Sequence, residues 1–284
     1  MSLARMMQMA AAGSAGAGPA PSGWTDPDLA NASYDSVSFS VAGEEGIPLG
    51  LNFNYEGTKA YIVGNSTDSI YEYTLGTAWD LSTASYNSVS FGLASQDTAP
   101  SSVAFNSDGT KMYISGLIND SLYQYSLSTG FDISTASYDS VFLDISSQAT
   151  APVDFSFSSD GTKLHVLDFD SDAVYQYSLS TGFDLSSASY DSVSFICASQ
   201  ENKPTALKFN PDGNKMYVCG FSNDTVYQYS LLSAWDVSTA SYDSVSFSVG
   251  AQLSSPRGFT FKSDGSKMYV VGISTDTIYQ YSTA

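Results

Sequence analysis

The sequence predicts an all-β protein, a five-bladed β-propeller with four antiparallel strands per blade, and three observations carry that prediction. The tag Ser-Tyr-Asp/Asn-Ser-Val recurs with its tyrosine at Tyr34, Tyr86, Tyr138, Tyr190 and Tyr242, a constant step of 52 residues with no insertion. Pro48, Pro100, Pro152, Pro204 and Pro256 keep the same step, as do Lys59, Lys111, Lys163, Lys215 and Lys267. The ends are out of phase in a complementary way. The last unit stops after Tyr279-Gln280-Tyr281, its third strand, while a tag at Ser33 precedes the first complete unit. A fixed period of this length marks a repeat architecture.

Each unit divides into four short strands. In the second unit, Val103-Ala104-Phe105 runs into Ser107-Asp108-Gly109-Thr110, a hairpin signal because Asp-Gly tolerates positive φ. Lys111-Met112-Tyr113-Ile114-Ser115 is the second strand and Ser121-Leu122-Tyr123-Gln124-Tyr125 the third. The longer connection Thr129-Gly130-Phe131-Asp132-Ile133 leads to the fourth, at Tyr138. One such sheet cannot cover both of its faces, whereas five in a ring cover one another. The strand near Tyr34–Val41 is expected to complete the fifth blade and close the ring over residues 28–284. An open stack would need capping sequences, and the repeat shows none.

Composition narrows the function. With 29 acids against 10 bases the net charge is −19, which argues against nucleic acid and anionic lipid as partners, because both need clustered cations. No stretch approaches 18 consecutive apolar residues, so no membrane insertion is expected. One histidine and two cysteines exclude most nucleophile–base arrangements, and the chain is expected not to be an enzyme. Residues 1–27 differ from the rest. Their methionine- and then Ala/Gly/Pro-rich composition reads as a flexible tail, or as a short helix docking into a partner through Leu3, Met6 and Met7. A secretory signal is the third reading, weakened by Gln8 interrupting a short apolar core.

The unit Pro204-Thr205-Ala206-Leu207-Lys208-Phe209-Asn210-Pro211-Asp212-Gly213-Asn214-Lys215-Met216-Tyr217-Val218 resembles the propeller repeats of the Asp-Gly-x-Lys type. The opening Met1-Ser2-Leu3-Ala4-Arg5-Met6-Met7-Gln8-Met9 resembles the N-termini of structural proteins of marine tailed bacteriophages. Together these resemblances imply a virion structural protein, anchored to other virion proteins by its tail and displaying the propeller toward a protein or host surface. The alternatives are a secreted or cell-surface glycan-binding propeller and, behind it, a metal-dependent hydrolase or lactonase.

Site residues are sought where the repeat is broken. His165 stands where other units have tyrosine and reads as a structural residue; Cys197 and Cys219 occupy apolar slots and read as buried thiols. Asp68, Asp120, Asp172, Asp224 and Asp276 recur and read as turn caps. Blade three departs most, through Asp144, Asp154, Asp168 and Asp170 beside Asp172. Strand connectivity puts these acids near one rim. Asp168, Asp170 and Asp172 are a weak calcium candidate, since the segment lacks the loop glycine and distal glutamate of a calcium hand. Leu117, Phe169, Phe221 and Ile273, with Arg257, form an expected apolar collar on that rim for a glycan or protein ligand. Lys208 is expected in the central channel.

Overall fold

The computed structural model describes residues 23–284, which form five four-stranded antiparallel sheets. Blade one is β2 (Pro48–Phe53), β3 (Lys59–Gly64), β4 (Ser69–Leu75) and β5 (Ala84–Gly92). Blade two is β6 (Pro100–Phe105), β7 (Lys111–Gly116), β8 (Ser121–Leu127) and β9 (Ala136–Asp144). Blade three is β10 (Pro152–Phe157), β11 (Lys163–Asp168), β12 (Ala173–Leu179) and β13 (Ala188–Ile196). Blade four is β14 (Pro204–Phe209), β15 (Lys215–Gly220), β16 (Thr225–Leu231) and β17 (Ala240–Ser248). Blade five is β18 (Pro256–Phe261), β19 (Lys267–Gly272) and β20 (Thr277–Ser282), and its outer strand is β1 (Ser33–Ser40). Ser33 lies opposite Ser282 and Ser40 opposite Thr277, so the ring closes as the phase of the repeat requires.

The core lies between blades. Leu51, Ile62 and Tyr73 of blade one, for instance, pack with Tyr269, Val271 and Ile278 of blade five. Each blade thus buries its second face only against a neighbour. The second tyrosine of each Tyr-x-Tyr pair is buried in this packing and leans on the tyrosine of the tag, with Tyr125 and Tyr138 centroids 5.5 Å apart.

The tag itself is a β-bulge. Ser36, Ser88, Ser140, Ser192 and Ser244 all have positive φ, and each outer strand slips register at that point. Beside each bulge the tag aspartate meets the repeated lysine, with Lys111–Asp139 at 2.6 Å and Lys163–Asp191, Lys215–Asp243 and Lys267–Asp35 at 2.7–2.8 Å. Blade one lacks this aspartate and has Asn87, but it also has Glu72 where the other blades have glutamine. Glu72 takes the lysine, 2.8 Å from Lys59, and accepts from Asn87. Two departures from the repeat compensate each other.

The long third-to-fourth connections contain 3-10 turns, too short to show a period in the sequence, at Leu81–Thr83, Ile133–Thr135, Leu185–Ser187 and Val237–Thr239. Asp80, Asp132, Asp184 and Asp236 cap them by accepting from the second residue's N–H. The first residue of each turn is buried, and in three its N–H donates to a glutamine of the preceding blade: Leu81 to Gln280, Leu185 to Gln124 and Val237 to Gln176. These bonds staple consecutive blades, blade five to blade one included. An aromatic residue before each turn (Trp79, Phe131, Phe183, Trp235) packs near the first-to-second hairpin. On the hairpin of blade five that place falls to Trp24, which meets Phe261 edge-on at 6.1 Å, while the Thr25 N–H donates to the Asp264 carbonyl. Sequence reading missed Trp24 because it lies outside the 52-residue register. Among the described residues no helix is long and apolar enough to cross a membrane.

His165 fills the slot of the repeated tyrosine. Where Tyr61 and Tyr269 donate to the carbonyls of Phe131 and Trp79, the His165 Nε2 contacts the Trp235 carbonyl at 3.0 Å. It is fully buried, its Nδ1 has no partner, and burial holds its pKa down at about 4. The unfolded chain therefore binds a proton at His165 that the folded chain rejects. Stability should fall as pH drops from about 6.5 to 4, by roughly 1.4 kcal/mol for each pH step of one across that window. Asp35, Asp139, Asp191 and Asp243 are partly desolvated, but hydrogen bonds from lysine, serine and glutamine hold them below the ordinary carboxylate range. Their contribution is lost only at lower pH. His165→Tyr should thus flatten the urea-unfolding free energy between pH 6.5 and 4 while leaving the more acidic loss in place.

Candidate functional site

Five inner strands, β2, β6, β10, β14 and β18, surround the axis. Their third residues are Gly50, Ser102, Asp154, Ala206 and Gly258, and there the strands nearly touch. A Cβ on Gly50 would lie 2.8 Å from the Ser102 Cα, and one on Gly258 2.9 Å from the Leu49 carbonyl oxygen. Blades one and five admit only glycine at this place, and the channel is pinched into a waist with a mouth at each end. The mouth at the start of the inner strands also carries the second-to-third turns, so it is the rim the sequence singled out. The opposite mouth carries the Asp-Gly-type hairpins and the 3-10 turns.

Asp154 is not a rim residue. It is 3% exposed in the waist, where its carboxylate accepts from the Ser102 hydroxyl and from the N–H groups of Phe155 and Leu207, both at 2.8 Å. Lys208 completes the set at 3.1 Å. Lys208 does face the channel, as expected. The sequence reading did not see that it answers Asp154 across the blade interface.

Asp168 is also corrected. It is 1% exposed, and its carboxylate turns inward to accept from the Ala151 N–H at 2.7 Å and from the Ser171 N–H at 2.9 Å. In blade two the corresponding N–H groups, of Ala99 and Asn119, donate to Asp97, which comes from the preceding loop. Glu45 and Glu201 act alike in blades one and four. Each of these acids lies under a glycine, and a Cβ on Gly116 would sit 2.4 Å from the Asp97 Cγ. Blade three has Ala149 in place of the loop acid and Asp168 in place of the glycine, so one carboxylate has moved from loop to strand end. Asp168→Gly alone should cost about 2 kcal/mol in urea unfolding, since two N–H groups lose their acceptor. Adding Ala149→Asp should recover most of that loss.

The other acids of blade three are dispersed. Asp144 is exposed and caps its own turn through the Ser146 N–H and hydroxyl, bonds that lower its pKa. Asp170 is exposed, and Asp172 holds a positive-φ turn position whose carbonyl accepts from the Cys197 N–H. Burial, then the nearby Asp168 and Asp170, raises the pKa of Asp172. The calcium candidate Asp168, Asp170 and Asp172 does not assemble: among the described residues no three His, Cys, Asp or Glu side chains form a group that could hold a metal ion. Cys197 and Cys219 are buried free thiols, and burial pushes Cys197 up to about 12.

The collar residues do gather at the rim. Leu49, Ser101, Val153, Thr205 and Arg257, the second residues of the inner strands, meet Leu117 around a small cavity of about 50 Å³. Phe169, Phe221 and Ile273 occupy the same turn position as Leu117, each partly buried. The Arg257 guanidinium lies 4.8 Å from the Phe221 ring centroid, and the Lys203 ammonium lies 5.8 Å from both Phe221 and Phe169. Desolvation lowers the Arg257 pKa, and its Nε is buried without a hydrogen-bond partner.

The cations single out this rim. Of the ten Lys and Arg residues, Arg5 lies outside the described residues, as do Leu3, Met6 and Met7, the expected docking contacts. Seven of the remaining nine are in ion pairs, namely Lys59, Lys111, Lys163, Lys208, Lys215, Lys262 and Lys267. The two left over, Lys203 and Arg257, flank one phenylalanine. The departures Glu72/Asn87, Asp154/Lys208 and Ala149/Asp168 compensate in pairs, and these two do not.

No family model matches the chain, and no curated protein is similar to it in sequence. The Asp-Gly-x-Lys repeat type and the phage-like N-terminus therefore find no support. Among solved structures, a protein from Lactobacillus plantarum is 14% identical with a TM-score of 0.52, over 83% of this chain and 67% of its own. The periplasmic gluconolactonase of Pseudomonas aeruginosa is 15% identical with a TM-score of 0.51, over 83% of this chain and 66% of its own. A protein from Bacteroides uniformis, provisionally assigned as a 6-phosphogluconolactonase, is 14% identical with a TM-score of 0.51, over 82% and 65%. The chain thus spans about two thirds of the length of these proteins. At such identities the likeness establishes the propeller fold alone. The expectation of a non-enzymatic chain is corrected to this extent: a gluconolactonase has this architecture, so the fold is no argument against catalysis.

Proposed function

We propose that this chain is a saccharide-binding propeller that takes a carboxylate-bearing sugar at the rim formed by Lys203, Phe221, Arg257 and Leu117. One observation carries the reading. On a molecule of net charge −19, Lys203 and Arg257 are the described cations without a carboxylate partner, and they converge on the faces of Phe169 and Phe221. A guanidinium recognises carboxylate through paired N–H donors, and half-buried aromatic faces suit the apolar side of a sugar ring. The small cavity admits the acid group, with the ring left at the rim. Display on a virion draws no support from the structurally similar proteins. The reading includes a catalyst as well as a binder, because hydrolysis of a sugar lactone leaves a carboxylate that the same cations would hold.

Calorimetric titration with glucuronate and galacturonate tests the proposal. Saturable binding is expected, weakened about tenfold by Arg257→Ala and less by Lys203→Ala, and falling with added salt. Affinity unchanged in both variants would contradict it. A parallel incubation with glucono-δ-lactone, following acid release, separates turnover from binding.

A further inference from the structure

The geometry points to a second ligand site, at the opposite mouth, for an uncharged saccharide ring. Below the waist the inner strands open into a cavity of about 280 Å³, adjoined by one of about 200 Å³; Phe157, Ser159, Lys208 and Thr260 line both. The floor is the fifth residue of each inner strand, namely Asn52, Ala104, Ser156, Lys208 and Thr260. The fold accounts for the residues on either side. The fourth is always a large apolar side chain and the sixth always phenylalanine, and both pack between blades. The fifth differs in every blade: Lys208 answers Asp154 and Asn52 donates to the Val103 carbonyl, but no contact dictates Ser156 or Thr260.

The chemistry of this floor is polar and neutral. The Ser156 and Thr260 hydroxyls form no hydrogen bond with other described residues. Lys208 is neutralised by Asp154 at 3.1 Å, and Lys262, at the margin, by Asp264 at 2.7 Å. Around the floor stand partly buried aromatic faces, among them Phe105, Phe157, Phe209 and Trp235, with Tyr55 50% exposed. Unpaired hydroxyls below aromatic faces, with every cation already paired, suit a ligand rich in hydroxyl groups and without charge. An anion has no unpaired cation to meet there. This site is independent of the rim proposed above, since the closed waist separates them.

The tryptophans make the test specific to this end. Trp24 and Trp235 line the adjoining cavity, Trp79 packs near the hairpin of blade one at the same end, and no tryptophan lies at the narrow rim. Titration of the protein with maltotriose, cellotriose and tri-N-acetylchitotriose, following intrinsic tryptophan fluorescence, should give a saturable change with at least one of them. Ser156→Phe, which fills the floor, should abolish it, and Ser156→Ala, which keeps the backbone and removes only the hydroxyl, should weaken binding about fivefold. Arg257→Ala should leave the response as in the parent protein. No saturable change with any of the three sugars would overturn the inference, and so would parent affinity in Ser156→Ala.

Discussion

A chain beginning at residue 42 should show no cooperative unfolding transition, because it lacks the strand that closes the ring. β1 supplies the outer ladder of blade five, and within it Asp35 accepts from Lys267, Gln280 and Ser282 at 2.6–2.8 Å. Leu29 and Val41, at either side of the strand, are completely buried, in the clusters that join blade five to blades four and one respectively. Each such side chain contributes roughly 1.5–3 kcal/mol, and the charged hydrogen bonds to Asp35 add roughly 1.5–3 kcal/mol apiece. Their sum rivals the whole stability of about 5–15 kcal/mol expected of a domain. Truncation would also expose the edge of β20, an invitation to aggregate. A synthetic peptide of residues 28–41, added in trans, should restore the thermal transition. A sharp transition at the parent midpoint in the truncated chain would mean that the first strand is dispensable.

Asp154→Ala should be the most damaging single substitution in the waist, at about 3–5 kcal/mol, because it strands a partly buried ammonium and removes the acceptor for two backbone N–H groups. The double variant Asp154→Gly with Lys208→Asn carries the pair already present across the interface of blades five and one, Gly258 and Asn52. It should regain most of the loss, since the waist accepts glycine and no charge is left unpaired. Equilibrium urea unfolding of the two single variants and the double variant gives the coupling, which should exceed about 1 kcal/mol; additive losses would show that the ion pair contributes nothing.

The architecture was legible because its determinants are local and recur. The Asp-Gly hairpins, the β-branched and aromatic strands and the out-of-phase ends each point to a closed ring without reference to distant contacts. The 3-10 turns were not legible as such, since a three-residue turn has too little periodicity, although Asp80 and its counterparts, each two residues before a serine, carry the cap. Asp154 and Asp168 were misplaced for a different reason. Each was read as a single departure, whereas packing answers one departure with another in a neighbouring strand or loop. The reciprocal pattern at 149 and 168, an acid exchanged for alanine as glycine is exchanged for an acid, was present in the chain and would have identified a relocated cap. Arg257 and Phe221 were found because their rim position varies among the blades. Lys203 was noticed only as part of a variable loop, and its significance depends on the ion pairs made by the described cations other than Arg257.

The most direct measurement is a crystal structure of the chain with glucuronate at saturating concentration. The account predicts the carboxylate about 3 Å from the Arg257 guanidinium, within reach of Lys203, with the sugar ring against Phe221. Glucuronate bound elsewhere on the ring, with Arg257 still stacked on Phe221 beside an empty rim, would contradict it.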